Sequence, residues 1–116
     1  MNLGNLPIFD WEQAVKLAGN KQDLAKDMLA LLMQGLPRDI SAIHQSYQDK
    51  NYQEMLKAVH KLHGALCYCG LPRLKTLISN LETELKSNIM DSLPPLIQSL
   101  DNEVCLLLER YSRQNM

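Results

Sequence analysis

The chain has 116 residues and a mass of 13.2 kDa, with 46% hydrophobic residues, a formal net charge of −1 and a mean hydropathy of −0.22. That length supplies one modest core and excludes two, and a balanced charge with a pI near 6.3 excludes the broad basic footprint that a nucleic-acid partner needs. Aromatic residues make up only 5%, Leu and Met recur, and the β-branched runs that build strands are missing, so the composition predicts an all-α helical bundle, one domain over residues 1–116.

Residues 1–9 read as an extended lead-in. The segment Met1–Pro7 has neither a charged n-region nor an apolar h-region, and no stretch approaches about 18 consecutive apolar residues, so a soluble chain without an export signal of its own is expected. Asp10 is placed to cap a short helix from Trp11 to about Ala18, stopped by Gly19-Asn20, with Trp11 as its anchor on the bundle. Leu24, Met28, Leu31, Leu32, Ile40 and Ile43 keep helical spacing through Pro37. They predict one long helix from Lys21 to about Gln48, kinked near Gly35-Leu36-Pro37, with two helices broken there as the alternative.

A third helix should begin near Tyr52 and end around Gly70, a residue suited to a left-handed cap. Pro72 fits the first turn of a fourth, in which Leu71, Leu74, Ile78, Leu81 and Leu85 form a buried stripe. A fifth starts around Asp91 or Ser92, with Pro94-Pro95 in its first turn. It carries Leu93, Ile97, Leu100, Val104, Leu107, Leu108 and Tyr111, and residues 112–116 are expected to fray. Cys67, Cys69 and Cys105 are odd in number, which fits reduced thiols in a cytosolic protein better than a disulfide framework.

The third helix carries the chemistry. At roughly 100° per residue, Met55, Ala58, Val59, Leu62, Leu66 and Cys69 gather on one side, and Gln53, His60, Gly64 and Cys67 on the other. His60 therefore faces away from the core, and Gly64, one turn on, clears space beside it for a second protein's phosphorylated loop. A nucleophilic imidazole beside a surface stripped of side chain suggests a phosphorelay more than an ordinary enzyme; a plain solvated histidine is the alternative.

Between Met55 and Lys75 the chain holds Lys57, Lys61, Arg73 and Lys75 and no acid, +4 within a chain of net −1. With Gly64 and Cys67, the residues Lys57, Lys61 and Arg73 form the expected partner-binding rim, complementary to an acidic pocket. His63 lies one turn from His60, close enough to hydrogen-bond or screen a phosphoryl group there. His60, His63 and Cys67 also raise a metal site, but no zinc-type spacing completes it, so no metal is expected.

His60-Lys61-Leu62-His63-Gly64 followed by Gly70 resembles the motif of the histidine-containing phosphotransfer (HPt) domains of bacterial phosphorelays: a histidine, Lys-Gly at the third and fourth positions after it, and glycine at the tenth. His63 stands where the common pattern has lysine, which leaves open how the phosphoryl charge is balanced. With Tyr68, Pro72-Arg73 and Asp10-Trp11, the stretch looks like the C-terminal domain of BarA/LetS-like hybrid sensor histidine kinases.

The resemblance implies an antiparallel four-helix bundle with a short extra N-terminal helix. In it His60 Nε2 would take a phosphoryl group from a receiver-domain phospho-aspartate and pass it to an aspartate of a response regulator. It also implies that Glu82, on the next helix, bonds the other ring nitrogen of His60; an ordinary surface pair of Glu82 with Lys86 is the alternative. Gly70 would be structural.

No intrinsic cofactor is implied, since Mg²⁺ would come with the receiver. Without a glycine-rich nucleotide loop, the chain should not phosphorylate itself from ATP. It would be a monomer in isolation and cytoplasmic, and as part of a larger kinase it would have a parent anchored in the inner membrane. Two other classes compete: a helical adaptor that binds partners without phosphotransfer, and a metal-binding bundle.

Overall fold

The computed structural model describes residues 3–88 and 90–114. A single 3-10 turn, Leu3–Asn5, interrupts the segment expected to be fully extended. Five α-helices follow among the described residues: α1 (Trp11–Leu17), α2 (Gln22–Gln48), α3 (Tyr52–Leu66), α4 (Pro72–Lys86) and α5 (Leu93–Gln114). No strand occurs among the described residues.

The helix ends follow from side-chain chemistry. Asp10 Oδ1 accepts the Gln13 backbone N–H at 3.0 Å and Asn51 Oδ1 accepts that of Glu54 at 3.2 Å, each satisfying a donor that the first turn leaves unpaired. Consecutive left-handed residues Gly19 and Asn20 stop α1, and Pro72 opens α4 with the φ a first turn needs.

The 27-residue α2 runs unbroken through Pro37, so the one-helix reading holds. Proline there forfeits the bond to the Met33 carbonyl, and burial of both Met33 and Leu36 keeps the helix in place. At the other end, α5 continues to Gln114 rather than fraying from Ser112; residues 115–116 of that expected tail lie outside the described residues.

Helices α2 to α5 each pack on the next, α2 on α3, α3 on α4 and α4 on α5. Short connections between packed neighbours make the arrangement an antiparallel four-helix bundle. One core joins all four: Leu36 and Ile43 from α2, Met55 and Leu62 from α3, Leu74 and Ile78 from α4, and Leu93 and Leu100 from α5 are almost wholly sealed from solvent. The α4 stripe is buried as expected, and Leu77 with it.

Two sequence expectations fail in this packing. Trp11 is 40% exposed and does not anchor α1; that helix, which packs on α2, buries Ala14, beside Ala18 and Ala25, in a separate cluster of small side chains. Leu24 and Leu31, read as part of the α2 stripe, are also exposed, Leu31 by 69%. The buried face of α2 centres on Leu29, Leu36 and Ile43, and Leu31 is about 140° round the helix from Leu36.

Helix α3 stops at Leu66, short of the expected Gly70, and a turn carries the chain to Gly70. There φ is +63°, and a Cβ would stand 2.6 Å from the Asp10 carbonyl oxygen and 2.8 Å from Ala14 Cβ. The Asp10 N–H donates to the Gly70 carbonyl at 2.9 Å. Gly70 is therefore the point where α1 closes onto the α3–α4 turn, and only glycine fits it without strain.

Candidate functional site

Met55, Val59, Leu62 and Leu66 turn one face of α3 into the core, which forces His60 and Gly64 outward. The His60 side chain is 72% exposed, and its Nδ1 pairs with Glu82 Oε2 on α4. His63 is mostly covered, and its Nδ1 lies 2.9 Å from the other carboxylate oxygen, Oε1. One carboxylate thus receives two imidazoles, one on each oxygen.

Glu82 belongs to the buried side of α4, four residues after Ile78 and three before Leu85, and is only 7% exposed. Burial pushes its carboxyl up, but the hydrogen bonds from His60 and His63, with the charge of Lys86, outweigh that and hold it below the ordinary carboxylate value. Lys86 Nζ is 3.8 Å from Oε2 and itself exposed, so it contributes weakly. A surface Glu82–Lys86 pair is thus not the main contact of this residue.

The geometry fixes a tautomer. A buried carboxylate only accepts hydrogen bonds, so a neutral His60 ring bonded through Nδ1 carries its proton there. Its Nε2 is then an unprotonated lone pair, and no described residue bonds it. Gly64, one turn on, is exposed, and a Cβ built there meets nothing within 4 Å.

The basic rim is thinner than the sequence suggests. Lys57 is exposed and pairs with Glu54 at 3.2 Å. Arg73 turns inward to Glu103 of α5 at 3.0 Å, leaving Lys61 and Lys75 as the exposed cations of the stretch without an ion pair among the described residues. Cys67 is half-buried at the C-cap of α3, and burial pushes the Cys69 thiol up to about 11, which keeps it an inert core group. His44 forms a separate pair with Asp101, at 2.6 Å. Among the described residues no group of three His, Cys, Asp or Glu side chains is arranged to hold a metal ion, and no helix is long and apolar enough to cross a membrane.

Sequence reasoning missed the Glu82–His63 bond and two further features. An open groove beside the histidine face is lined by Leu31, Gly35 and Arg38 of α2 with Lys61, Ala65 and Tyr68, and it places exposed Leu31 and Tyr68 next to the helix that carries His60. The buried Glu103 was also missed, although its place three residues after Leu100 and four before Leu107 sets it inside an apolar stripe.

Known proteins resemble the chain in sequence and in fold. The family described as "Hpt domain" matches residues 27–113. The chain belongs to the Hpt domain family. It is 40% identical over 81 residues to the sensor protein GacS of Pseudomonas syringae pv. syringae, covering 70% of this chain and 9% of that one. It is 36% identical over 94 residues to the signal transduction histidine-protein kinase BarA of Escherichia coli K12, covering 79% and 10%.

The chain therefore spans about a tenth of the curated relatives it matches. A crystal structure of the HPT domain of a sensor hybrid histidine kinase from Shewanella superposes with a TM-score of 0.83 at 31% identity, covering 91% of this chain and 92% of that one. The chain is an Hpt domain homologous to the phosphotransfer domains of hybrid sensor kinases.

Proposed function

We propose that this Hpt domain carries phosphoryl groups on His60 Nε2, taking them from a phospho-aspartate of a receiver domain and delivering them to an aspartate of a response regulator. The observation that supports this most is the exposed His60 ring held through Nδ1 by a buried carboxylate, with bare surface at Gly64 beside it.

The arrangement accounts for the chemistry without moving a proton. The Nε2 lone pair attacks phosphorus, the N–P bond forms, and the P–O bond to the aspartyl oxygen breaks with its electron pair staying on the aspartate. The ring keeps its Nδ1 proton and becomes cationic opposite the Glu82 carboxylate, which is already in place to stabilise that charge. Delivery reverses the step. The receiver's divalent metal would neutralise the phosphoryl oxygens, and the groove with Leu31 and Tyr68 would add apolar contact beside the exposed Lys61.

The test is to mix the domain with a radiolabelled phospho-receiver and Mg²⁺, without ATP. Label should enter the wild type and not His60→Gln, in a product labile to acid and stable to alkali. Label persisting in the variant would move the site to His63 or His44, and no label from several receivers would favour an adaptor that binds without chemistry.

A further inference from the structure

His63 stands where the resemblance expects a lysine, yet its ring is not free to act as one. Its Nδ1 is committed to Glu82 Oε1 at 2.9 Å, and three quarters of the side chain is covered. We propose that His63 is a positioning residue: by holding Oε1 it fixes the carboxylate so that Oε2 keeps His60 in the Nδ1–H form with Nε2 ready to attack. This rests on His60 being the phosphoryl acceptor and names the group that keeps it poised.

The physical reason is the freedom a lone partner would leave. A glutamate carboxylate turns easily about its last torsion. If only His60 bound it, one buried oxygen would lack a donor, and the group would lose free energy or rotate to share its single partner. His63 supplies the second donor from the same helix that carries His60, one turn away, so both rings and the carboxylate form one rigid unit across the α3–α4 seam. A lysine would bring a mobile point charge on a long stem, suited to a phosphoryl oxygen and poorly suited to fixing a planar acceptor.

The two roles separate by substitution. Asparagine places its amide nitrogen where Nδ1 stands and carries no charge; glutamine places it nearer Nε2; lysine restores charge without the fixed donor. Asparagine and histidine have similar helix propensity, so circular dichroism should show retained helix in His63→Asn. For each variant the His60 tautomer is read by ¹⁵N NMR of the ring, and label uptake from a phospho-receiver by its initial rate.

The expected result is that His63→Ala and His63→Gln let His60 exchange between tautomers and slow uptake about tenfold, while His63→Asn restores both. Uptake rescued by His63→Lys and not by His63→Asn would overturn the proposal in favour of phosphoryl charge balance. So would a His60 tautomer identical in all variants. A wild type that takes no label would strike the carrier function alone, because the tautomer is read without phosphotransfer.

Discussion

Two regions beside α4 each combine a glycine with a buried glutamate that reaches a basic side chain on another helix, and they are built for opposite purposes. Toward the C-terminal end, Glu82 has both oxygens engaged by imidazoles, and Gly64 leaves open space. Around the N-terminal end, Glu103 reaches Arg73 through Oε1 only, its Oε2 and the Arg73 Nε have no partner among the described residues, and Gly70 is packed against Asp10 and Ala14. Burial raises the Glu103 carboxyl more than Arg73 lowers it, whereas Glu82 lies below its ordinary value. The first region presents a satisfied charge behind a free surface; the second closes the bundle and tolerates an imperfectly paired charge inside it.

Glycine substitutions should separate stability from function in these two regions. Gly70→Ala forces an L side chain to φ +63° and a Cβ to 2.6 Å from the Asp10 carbonyl oxygen. Left-handed strain and overpacking together should destabilise the fold by about 3 kcal/mol. Urea unfolding would measure it, and a loss under about 1 kcal/mol would mean that α1 moves away without cost.

The two glutamates should respond to pH with opposite signs. Glu82 titrates below its ordinary 4.5 in the folded chain, so it contributes stability above about pH 4.5 that is lost as pH falls through its folded value. Glu103 titrates above 4.5, so its contribution is complete below that and lost as pH rises through its folded value. Glu82→Gln should therefore cost about 1.5 kcal/mol at pH 7, the scale of a hydrogen bond to a charged group, and reduce the acid-side loss. Glu103→Gln should cost less at pH 7 and flatten the decline on the other side. Unfolding midpoints across this range decide it, and a larger cost for Glu103→Gln at pH 7 would break the comparison.

Much of the first region was legible in the sequence because it depends on one helix at a time. The spacing of Met55, Val59, Leu62 and Leu66 dictates that His60 points outward, and in the second region Gly70 with Pro72 punctuates the chain regardless of what packs there. The position of Glu82 against His60 came from resemblance, and its bond to His63 did not come at all, because both depend on how α3 and α4 are rotated against each other. The same holds for Arg73, whose charge looks like a rim residue until α5 is beside it. Trp11 misled because size suggested an anchor; α1 docks through Ala14 and Ala18, since only small side chains allow the close approach at Gly70.

The smallest expected effect on stability is the most telling for function. Gly64 lies within α3 with ordinary helical φ, and an added Cβ there would meet nothing within 4 Å. Alanine loses less backbone entropy than glycine on entering a helix, so Gly64→Ala should stabilise the domain by about 0.5–1 kcal/mol, read as a small rise in Tm. The same methyl projects from the surface one turn from His60, where the proposed transfer requires a receiver to bring its aspartyl phosphate within bonding distance of Nε2. Phosphotransfer should therefore slow while the fold gains stability, with a bulkier Gly64→Gln slowing it further. No described residue needs Gly64 to be bare, so under the proposed function the demand on that surface is the partner's; uptake as fast as wild type in both variants would show that the receiver docks elsewhere.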